Sequence, residues 1–257
     1  MTHADPHKDT RRFDAVVCDI DGCLCGEDGS PFDLASLATI RNHNELSIKH
    51  NDRPTITVCT GRPVGFAEAM TRLIGNSVLP AIAEMGVYLH HPESAQSEVD
   101  PAIDSGHMKS IAGLENHFHE VLRPSGVTMQ PGKSASVTFW HKDTEHLRQH
   151  IYPGVQELCE QHNWPVRVSM SWFYINCDLT HISKGTGIER FKSHTGYTSN
   201  RLVGIGDTSS DLEIRKQVGF FACPANAHDD VKAVADFVAN KPEAEGVIEI
   251  LQHISAM

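Results

Sequence analysis

The stretch Phe13-Asp14-Ala15-Val16-Val17-Cys18-Asp19-Ile20-Asp21-Gly22 decides the fold. Its apolar run reads as a buried strand that leaves the interior at Asp19. Residues two apart on a strand point to the same side, so Asp19 and Asp21 reach toward one place. Two uncompensated carboxylates at the end of a buried strand are costly unless something pairs with them. A hard divalent cation, which prefers oxygen ligands, is one such partner. A plain turn is the other reading, since Asp and Gly are ordinary turn residues.

Working outward, the pattern of buried strand, polar strand end and amphipathic helix repeats. Asp33 is placed to cap a helix carrying Leu34, Leu37, Ile40 and Leu46, ending near Asn51. Thr55-Ile56-Thr57-Val58-Cys59 reads as a second buried strand and ends in Thr60-Gly61-Arg62-Pro63. Thr60 and Gly61 before a helix make an anion cradle, with Pro63 expected at the first helical position. Leu79–Ala83 reads as a third strand and Glu84–Leu89 as a hairpin or extension. The texture then changes. Residues 90–110 are rich in Pro, Glu, Ser and Asp and read as a linker. A helix bearing Ile111, Leu114, Phe118, Val121 and Leu122 is expected to end at Pro124. Ser134–Trp140 alternates as a half-buried edge strand would. A helix over about 144–162, with Pro153 as a kink, precedes two short strands at Val166–Met170 and Trp172–Cys177.

The βα pattern resumes at Ile182-Ser183-Lys184-Gly185-Thr186-Gly187, where Lys184 opens a helix that stops at Gly196. This is no P-loop, because neither the upstream glycine nor a leading strand is present. A further buried strand, Arg201–Ile205, ends in Gly206-Asp207-Thr208-Ser209-Ser210-Asp211, a second acidic pair. Shorter strands at 219–223 and 236–238 and a closing helix around 247–254 complete the chain. The expected fold is therefore α/β: a Rossmann-like parallel-sheet core with a smaller inserted α+β cap domain. The leader spans 1–12, the core 13–91 and 182–257, and the cap 92–181.

Composition narrows the function. The chain has 257 residues, 40% hydrophobic and 21% charged, with a net charge of −11. Such a field repels nucleic acid and anionic membranes, and no apolar run is long enough for a membrane helix. Without a signal h-region, the protein reads as cytoplasmic. The seven cysteines are odd in number and several sit inside apolar runs, where they act as small buried hydrophobes. The 17 histidines are scattered; His146 and His150 stand four apart, but no Glu completes a zinc-protease pattern.

In an open parallel sheet the carboxyl ends of the strands face one crevice. Asp19, Asp21, Thr60, Lys184, Asp207 and Asp211 all stand at such ends. Converging carboxylates with oxygen-only ligation suggest Mg2+. With a lysine and a hydroxyl beside them, they describe phosphoryl chemistry, which is mainly positioning and charge stabilisation.

Asp19-Ile20-Asp21-Gly22, Thr60-Gly61-Arg62, Lys184-Gly185 and Gly206-Asp207-x-x-x-Asp211 match, in order, the four motifs of the haloacid dehalogenase superfamily. The chain most resembles its subfamily IIB: Cof-type sugar phosphatases, sucrose-phosphate phosphatase and archaeal phosphoglycolate phosphatase. The resemblance runs from about residue 13 to the C-terminus, with the cap matched only by placement. It implies an enzyme, a phosphoric monoester hydrolase. Asp19 would be the nucleophile that becomes an aspartyl-phosphate, and Asp21 the proton donor and then base. Thr60, Gly61, Arg62, Lys184 and Asn226 would be phosphate- or substrate-binding residues. Asp19, Asp207, the backbone carbonyl of Asp21 and, through water, Asp211 would hold Mg2+. Two positions depart from the pattern: Met85 and Ser210 stand where relatives often carry Asn. The substrate implied is a small phosphorylated metabolite, a sugar phosphate or phosphoglycolate, with the protein a monomer or homodimer. A phosphomutase and a catalytically inactive binding or regulatory module are the alternatives. Lys133, His141 and Arg167 are candidate cap contacts to the leaving group, with a solvated surface role the plainer reading.

Overall fold

Short apolar runs that end in polar residues form strands, and the amphipathic runs between them form helices on either side of a sheet. A computed structural model describes residues 11–27, 29–171 and 173–257. Most of the expected leader, residues 1–10, and the first residue of one expected strand, Trp172, lie outside the described residues. The chain runs β1 (Ala15–Cys18), α1 (Leu34–His50), β2 (Thr55–Val58), α2 (Val64–Leu73), β3 (Ala81–Ala83), β4 (Tyr88–His91), β5 (Gln96–Val99) and α3 (Ser105–His117). It continues through β6 (Thr128–Met129), β7 (Ser136–Trp140), α4 (Thr144–His146), α5 (Tyr152–Gln161), β8 (Val166–Ser171) and β9 (Tyr174–Leu179). It closes with α6 (Lys184–Thr195), β10 (Leu202–Ile205), α7 (Leu212–Arg215), β11 (Phe220–Cys223), α8 (Asp229–Lys232), β12 (Phe237–Val238) and α9 (Glu243–Ser255). No helix among the described residues is long and apolar enough to cross a membrane.

The core sheet has the order β12-β11-β10-β1-β2, all parallel. Its four longest strands, β11, β10, β1 and β2, are buried along their whole length, as parallel strands covered on both faces must be. The chain leaves β1 toward β2 on one side and returns through β10 on the other. The crevice where a ligand binds therefore opens between the ends of β1 and β10. A parallel bridge from Cys59 to Ile82 carries β3 alongside β2. Asn44 explains one buried polar group in α1: its amide exchanges hydrogen bonds with the Ile56 main chain at 2.8 and 3.0 Å.

Helix ends follow their capping residues. The Asp33 side chain accepts from the Ala35 and Ser36 amides. Ser183 and Thr186 form a capping box at the start of α6, and Gly196 closes it in the left-handed conformation. Pro63 is the N-cap of α2, one residue before the position expected for it. Pro153 sits in the first turn of α5 behind a π-helical turn at Leu147–Ile151. The proline lacks an N–H, and the wider turn absorbs the lost hydrogen bond.

Two expectations are corrected in the middle of the chain. Residues 90–110 are not a linker: β4 and β5 form an antiparallel hairpin that extends β3, and α3 starts at Ser105 with Asp104 as its cap. The four residues of β5 are all exposed, which explains their polar composition. β7 is not an edge strand either. It lies between β6 and β9 in the antiparallel sheet β6-β7-β9-β8, and four of its five residues are buried. Val137, Phe139, Ile175 and Cys177 pack with Leu114, Phe118, Leu147 and Val155 of the helical layer. The other face of this sheet is polar and turns toward the core, with Ser136, Thr138 and Asp178 on it buried. The second strand of the final cap pair is Tyr174–Leu179, shifted from the expected Trp172–Cys177.

One carboxylate fastens core to cap. Glu84, wholly buried, follows β3 with φ at +50°. Its Oε1 accepts from the Ser134 and Ala135 amides at 2.8 Å each and from the Ser136 hydroxyl at 3.0 Å. The Ser134 hydroxyl donates to its Oε2 at 3.2 Å.

Candidate active site

The site forms where β1, β10 and the start of α6 meet. Asp19 follows β1, and its Oδ1 accepts from the Ile20 amide at 2.7 Å. Its Oδ2 stands 2.8 Å from Lys184 Nζ. Lys184 is the first residue of α6 and is almost wholly buried, so its ammonium needs acidic partners. The second is Asp211 Oδ1, at 2.6 Å. Asp211 Oδ2 accepts from the Asp207 and Thr208 amides at 3.0 Å each, which shapes the loop after β10. Asp19, Asp207 and Asp211 present ligand oxygens within 4.8 Å of one another, and all three are buried.

One ammonium among three buried carboxylates leaves an excess of negative charge. Burial pushes Asp19 up to about 7, against the pull of Lys184, with Asp211 and Asp21 adding to the rise. Burial likewise pushes Asp207 up to about 9, helped by the Asp19 and Asp211 charges. Burial alone would lower Lys184, but Asp19 and Asp211 outweigh it and hold the amine well above its ordinary value. Among the described residues, the one hydrogen-bond donor near the Asp207 carboxylate is the Cys23 thiol at 3.9 Å. An oxygen-only cluster that is over-charged and under-bonded fits a hard divalent cation.

That fit yields a prediction. The folded protein without a cation holds protons on Asp19 and Asp207 that the unfolded chain, titrating near 3.8, releases. The stability they contribute is complete below about pH 3.8 and is lost as pH rises through about 7 and about 9. Adding MgCl2 at about 100 times its dissociation constant should return about 2.7 kcal/mol. For a chain of this size that raises Tm by roughly 5–10 °C. Differential scanning calorimetry should show a larger rise at mildly alkaline than at mildly acidic pH.

Gly22 is the residue that lets the Asp21 main chain approach this cluster. Its φ is +73°, and a Cβ there would lie 1.9 Å from Asp207 Oδ2. Gly22→Ala should therefore cost about 2 kcal/mol or more, from backbone strain and displaced carboxylate together. It should also blunt the MgCl2 response in the same calorimetric scan.

The other candidate residues fall in different places. Arg62 grips Asp21 through both prongs of its guanidinium, at 2.8 and 2.5 Å, on the half-exposed rim of the cavity. The Thr60 hydroxyl is buried and accepts from the Arg62 amide at 3.0 Å. Gly61 lies under Met85, whose Sδ would be 3.2 Å from an added Cβ. Asn226 stands behind the turn: its amide donates to the Gly22 carbonyl at 2.8 Å and accepts from the Glu243 amide at 2.8 Å. Ser210 borders the cavity.

Above the cluster is a cavity of about 740 Å³, bordered by Asp19, Asp21, Arg62 and Lys184 below and by the polar face of the cap sheet above. Lys133 and Arg167 line it, whereas His141 instead bonds within the Asp143 turn. Sequence reasoning missed Glu84 and Asp178. Asp178 had a signal: Ile175, Cys177 and Leu179 alternate with Asn176 and Asp178, so one face of that strand had to be polar.

Comparison with known proteins agrees with this geometry. Residues 124–251 match the model of the haloacid dehalogenase-like hydrolase family. Over 97 residues the chain is 37% identical to a phosphoglycolate phosphatase of Methanothrix thermoacetophila, covering 38% of this chain and 44% of that one. That stretch spans less than half of the relative. A phosphoglycolate phosphatase of Methanospirillum hungatei is 25% identical over 238 residues, covering 92% of this chain and 94% of that one. Thermoplasma acidophilum 0175 superposes with a TM-score of 0.73 at 19% identity, covering 96% of this chain and all of that one. A haloacid dehalogenase-like hydrolase from Bacteroides thetaiotaomicron gives 0.74 at 18% identity, covering 94% of this chain and 99% of that one. The chain has the fold of the haloacid dehalogenase-like hydrolases, and Asp19, Asp207 and Asp211, buried at its strand ends, support chemistry of hydrolase type.

Proposed function

We propose that the protein is a magnesium-dependent phosphatase of a small phosphorylated metabolite, a sugar phosphate or phosphoglycolate, working through an aspartyl-phosphate. The observation that carries this reading is the Asp19 carboxylate, fixed by Lys184 at 2.8 Å beneath a cavity large enough for a metabolite. The names of the relatives, phosphoglycolate phosphatases, support the same class.

In this reading Asp19 attacks phosphorus and the ester oxygen leaves with a proton from Asp21. Asp21 then takes a proton from water, which attacks the acyl phosphate, releases inorganic phosphate and restores Asp19. Lys184 neutralises Asp19 and, with Thr60 and the Gly61 turn, holds phosphoryl oxygens. Arg62 keeps the Asp21 carboxylate in one orientation through its two-pronged contact. Asp19, Asp207 and the Asp21 carbonyl are suited to hold magnesium, which when bound supplies charge neutralisation for the phosphoryl group. Asp211 contributes by clamping Lys184 and the Asp207 loop. Asn226 acts from behind, by bracing the Gly22 carbonyl. Residues 92–181 serve as one cap unit that excludes water over the site. The test is phosphate release from a panel of monoesters: turnover should need magnesium and stop with EDTA. Turnover that persists in EDTA, or an isomerised product without free phosphate, would sink the reading.

A further inference from the structure

The polar face of the cap sheet carries groups that the chemistry at Asp19 does not use. Across β7, β9 and β8 the registered rows are Ser136–Asp178–Arg167 and Thr138–Asn176–Ser169. Asp178 and Thr138 border the same cavity as Asp19, and so does Lys133 from the loop before β7.

Lys133 is fixed in place. Its Nζ donates to the Thr138 hydroxyl at 2.6 Å, and that hydroxyl donates to Asn176 Oδ1 at 3.0 Å. The Asn176 amide donates in turn to the Ser171 hydroxyl at 3.2 Å. An ammonium has three donors, so two remain for a ligand. The neighbouring residues 134–136 are held by Glu84, so the core itself sets where Lys133 stands.

Asp178 is the reverse case. It is 3% exposed, and its buried Oδ1 has no hydrogen-bond partner. Burial holds the Asp178 carboxyl above its ordinary range, against the pull of Lys133 and Arg167, and its Oδ1 accepts from neither. The Arg167 guanidinium donates instead to the Ile182 carbonyl at 3.2 Å. His181 Nε2, also buried and unpartnered, borders the same cavity. A buried polar group without a partner calls for one, and both residues border the cavity.

A carboxylate on the leaving group would suit Lys133 but would meet the Asp178 carboxylate, and like charges repel strongly out of water. A hydroxyl suits both: it donates to Asp178 and accepts from Lys133, and vicinal hydroxyls do so together. The volume, about 740 Å³, is far more than a two-carbon acid fills. We propose that Lys133 and Asp178 form a hydroxyl-reading subsite, so that the substrate is the phosphate monoester of a sugar or polyol rather than of a small hydroxy acid. This rests on the phosphatase reading above.

The test is kcat/KM of the full chain with MgCl2 on an aldohexose phosphate, glycerol phosphate, 2-phosphoglycolate and p-nitrophenyl phosphate. The native protein should favour a sugar or polyol ester over 2-phosphoglycolate. Asp178→Asn should lower the sugar or polyol ester, relative to p-nitrophenyl phosphate, by about 10- to 100-fold. It should raise 2-phosphoglycolate, because the repelling charge is gone. Lys133→Met should lower the same sugar-to-nitrophenyl ratio and serves if the first variant folds poorly. A native preference for 2-phosphoglycolate, or unchanged ratios in both variants, overturns the subsite while leaving the phosphatase standing. Absence of magnesium-dependent release from every ester, p-nitrophenyl phosphate included, overturns both.

Discussion

Asp19→Asn should lower turnover of any phosphate monoester by at least about 10⁴-fold, the scale on which removal of a catalytic nucleophile is felt. The change is nearly isosteric. The amide oxygen can still accept from the Ile20 amide, and Lys184 keeps its bond to Asp211. The fold therefore stays, and the loss belongs to chemistry. An amide cannot form the acyl phosphate, and orientation or proton transfer by other groups does not replace that bond. Stability should move the other way. Burial pushes the native Asp19 carboxyl up, so a neutral amide removes a cost that grows with pH. The variant without magnesium should melt at or above the native protein, while its p-nitrophenyl phosphate activity is at background. Activity within tenfold of native would remove Asp19 from the nucleophile's role.

Lys184→Met should produce the largest loss of stability. Lys184 is 2% exposed and bridges Asp19 and Asp211 at 2.8 and 2.6 Å. A methionine fills similar space but leaves two buried carboxylates facing each other without a cation. Breaking a buried pair in this way costs about 3–5 kcal/mol. At roughly 2–4 °C per kcal/mol for a chain of this size, Tm should fall by about 10 °C. Added MgCl2 should recover part of the loss, because a cation on Asp19 and Asp207 supplies some of the missing positive charge. Phosphate release should not recover, since no side chain then holds the phosphoryl oxygens from that side. A thermal melt unchanged within a degree or so would show that water, not the fold, shields these carboxylates.

Much of the core was legible because its signals are local. Val16, Val17 and Cys18 are buried in β1, and the polar residues that follow each inner strand announce the crevice. Lys184 could be placed because it opens the helix that ends at Gly196. The cap was harder to read because its sheet buries polar residues. Ser136, Thr138, Asn176 and Asp178 alternate with apolar residues as a solvent-facing strand does, yet they face the core across a cavity. No local pattern distinguishes water from an opposing domain. The hairpin at 88–99 was hidden for a related reason: β5 is exposed, so its composition looks like that of a connector. Glu84 escaped because its partners are some 50 residues away and half of its hydrogen bonds come from main-chain amides, which leave no trace in side-chain composition.

The Glu84 anchor also has a mechanical side. A rigid lid pinned at one point can only swing about that point, and displacement grows with distance from the pin. Ser134–Ser136 are the residues that Glu84 holds, so in any swing of the cap Lys133, beside them, would move least. Phe173 and Tyr174, at the cavity wall and at the opposite end of the β7–β9 pairing from Ser136, would sweep the widest arc. Such a lid would separate two tasks along its length: entry and exit at the tip, and inspection of the leaving group near the pivot, where geometry would change least.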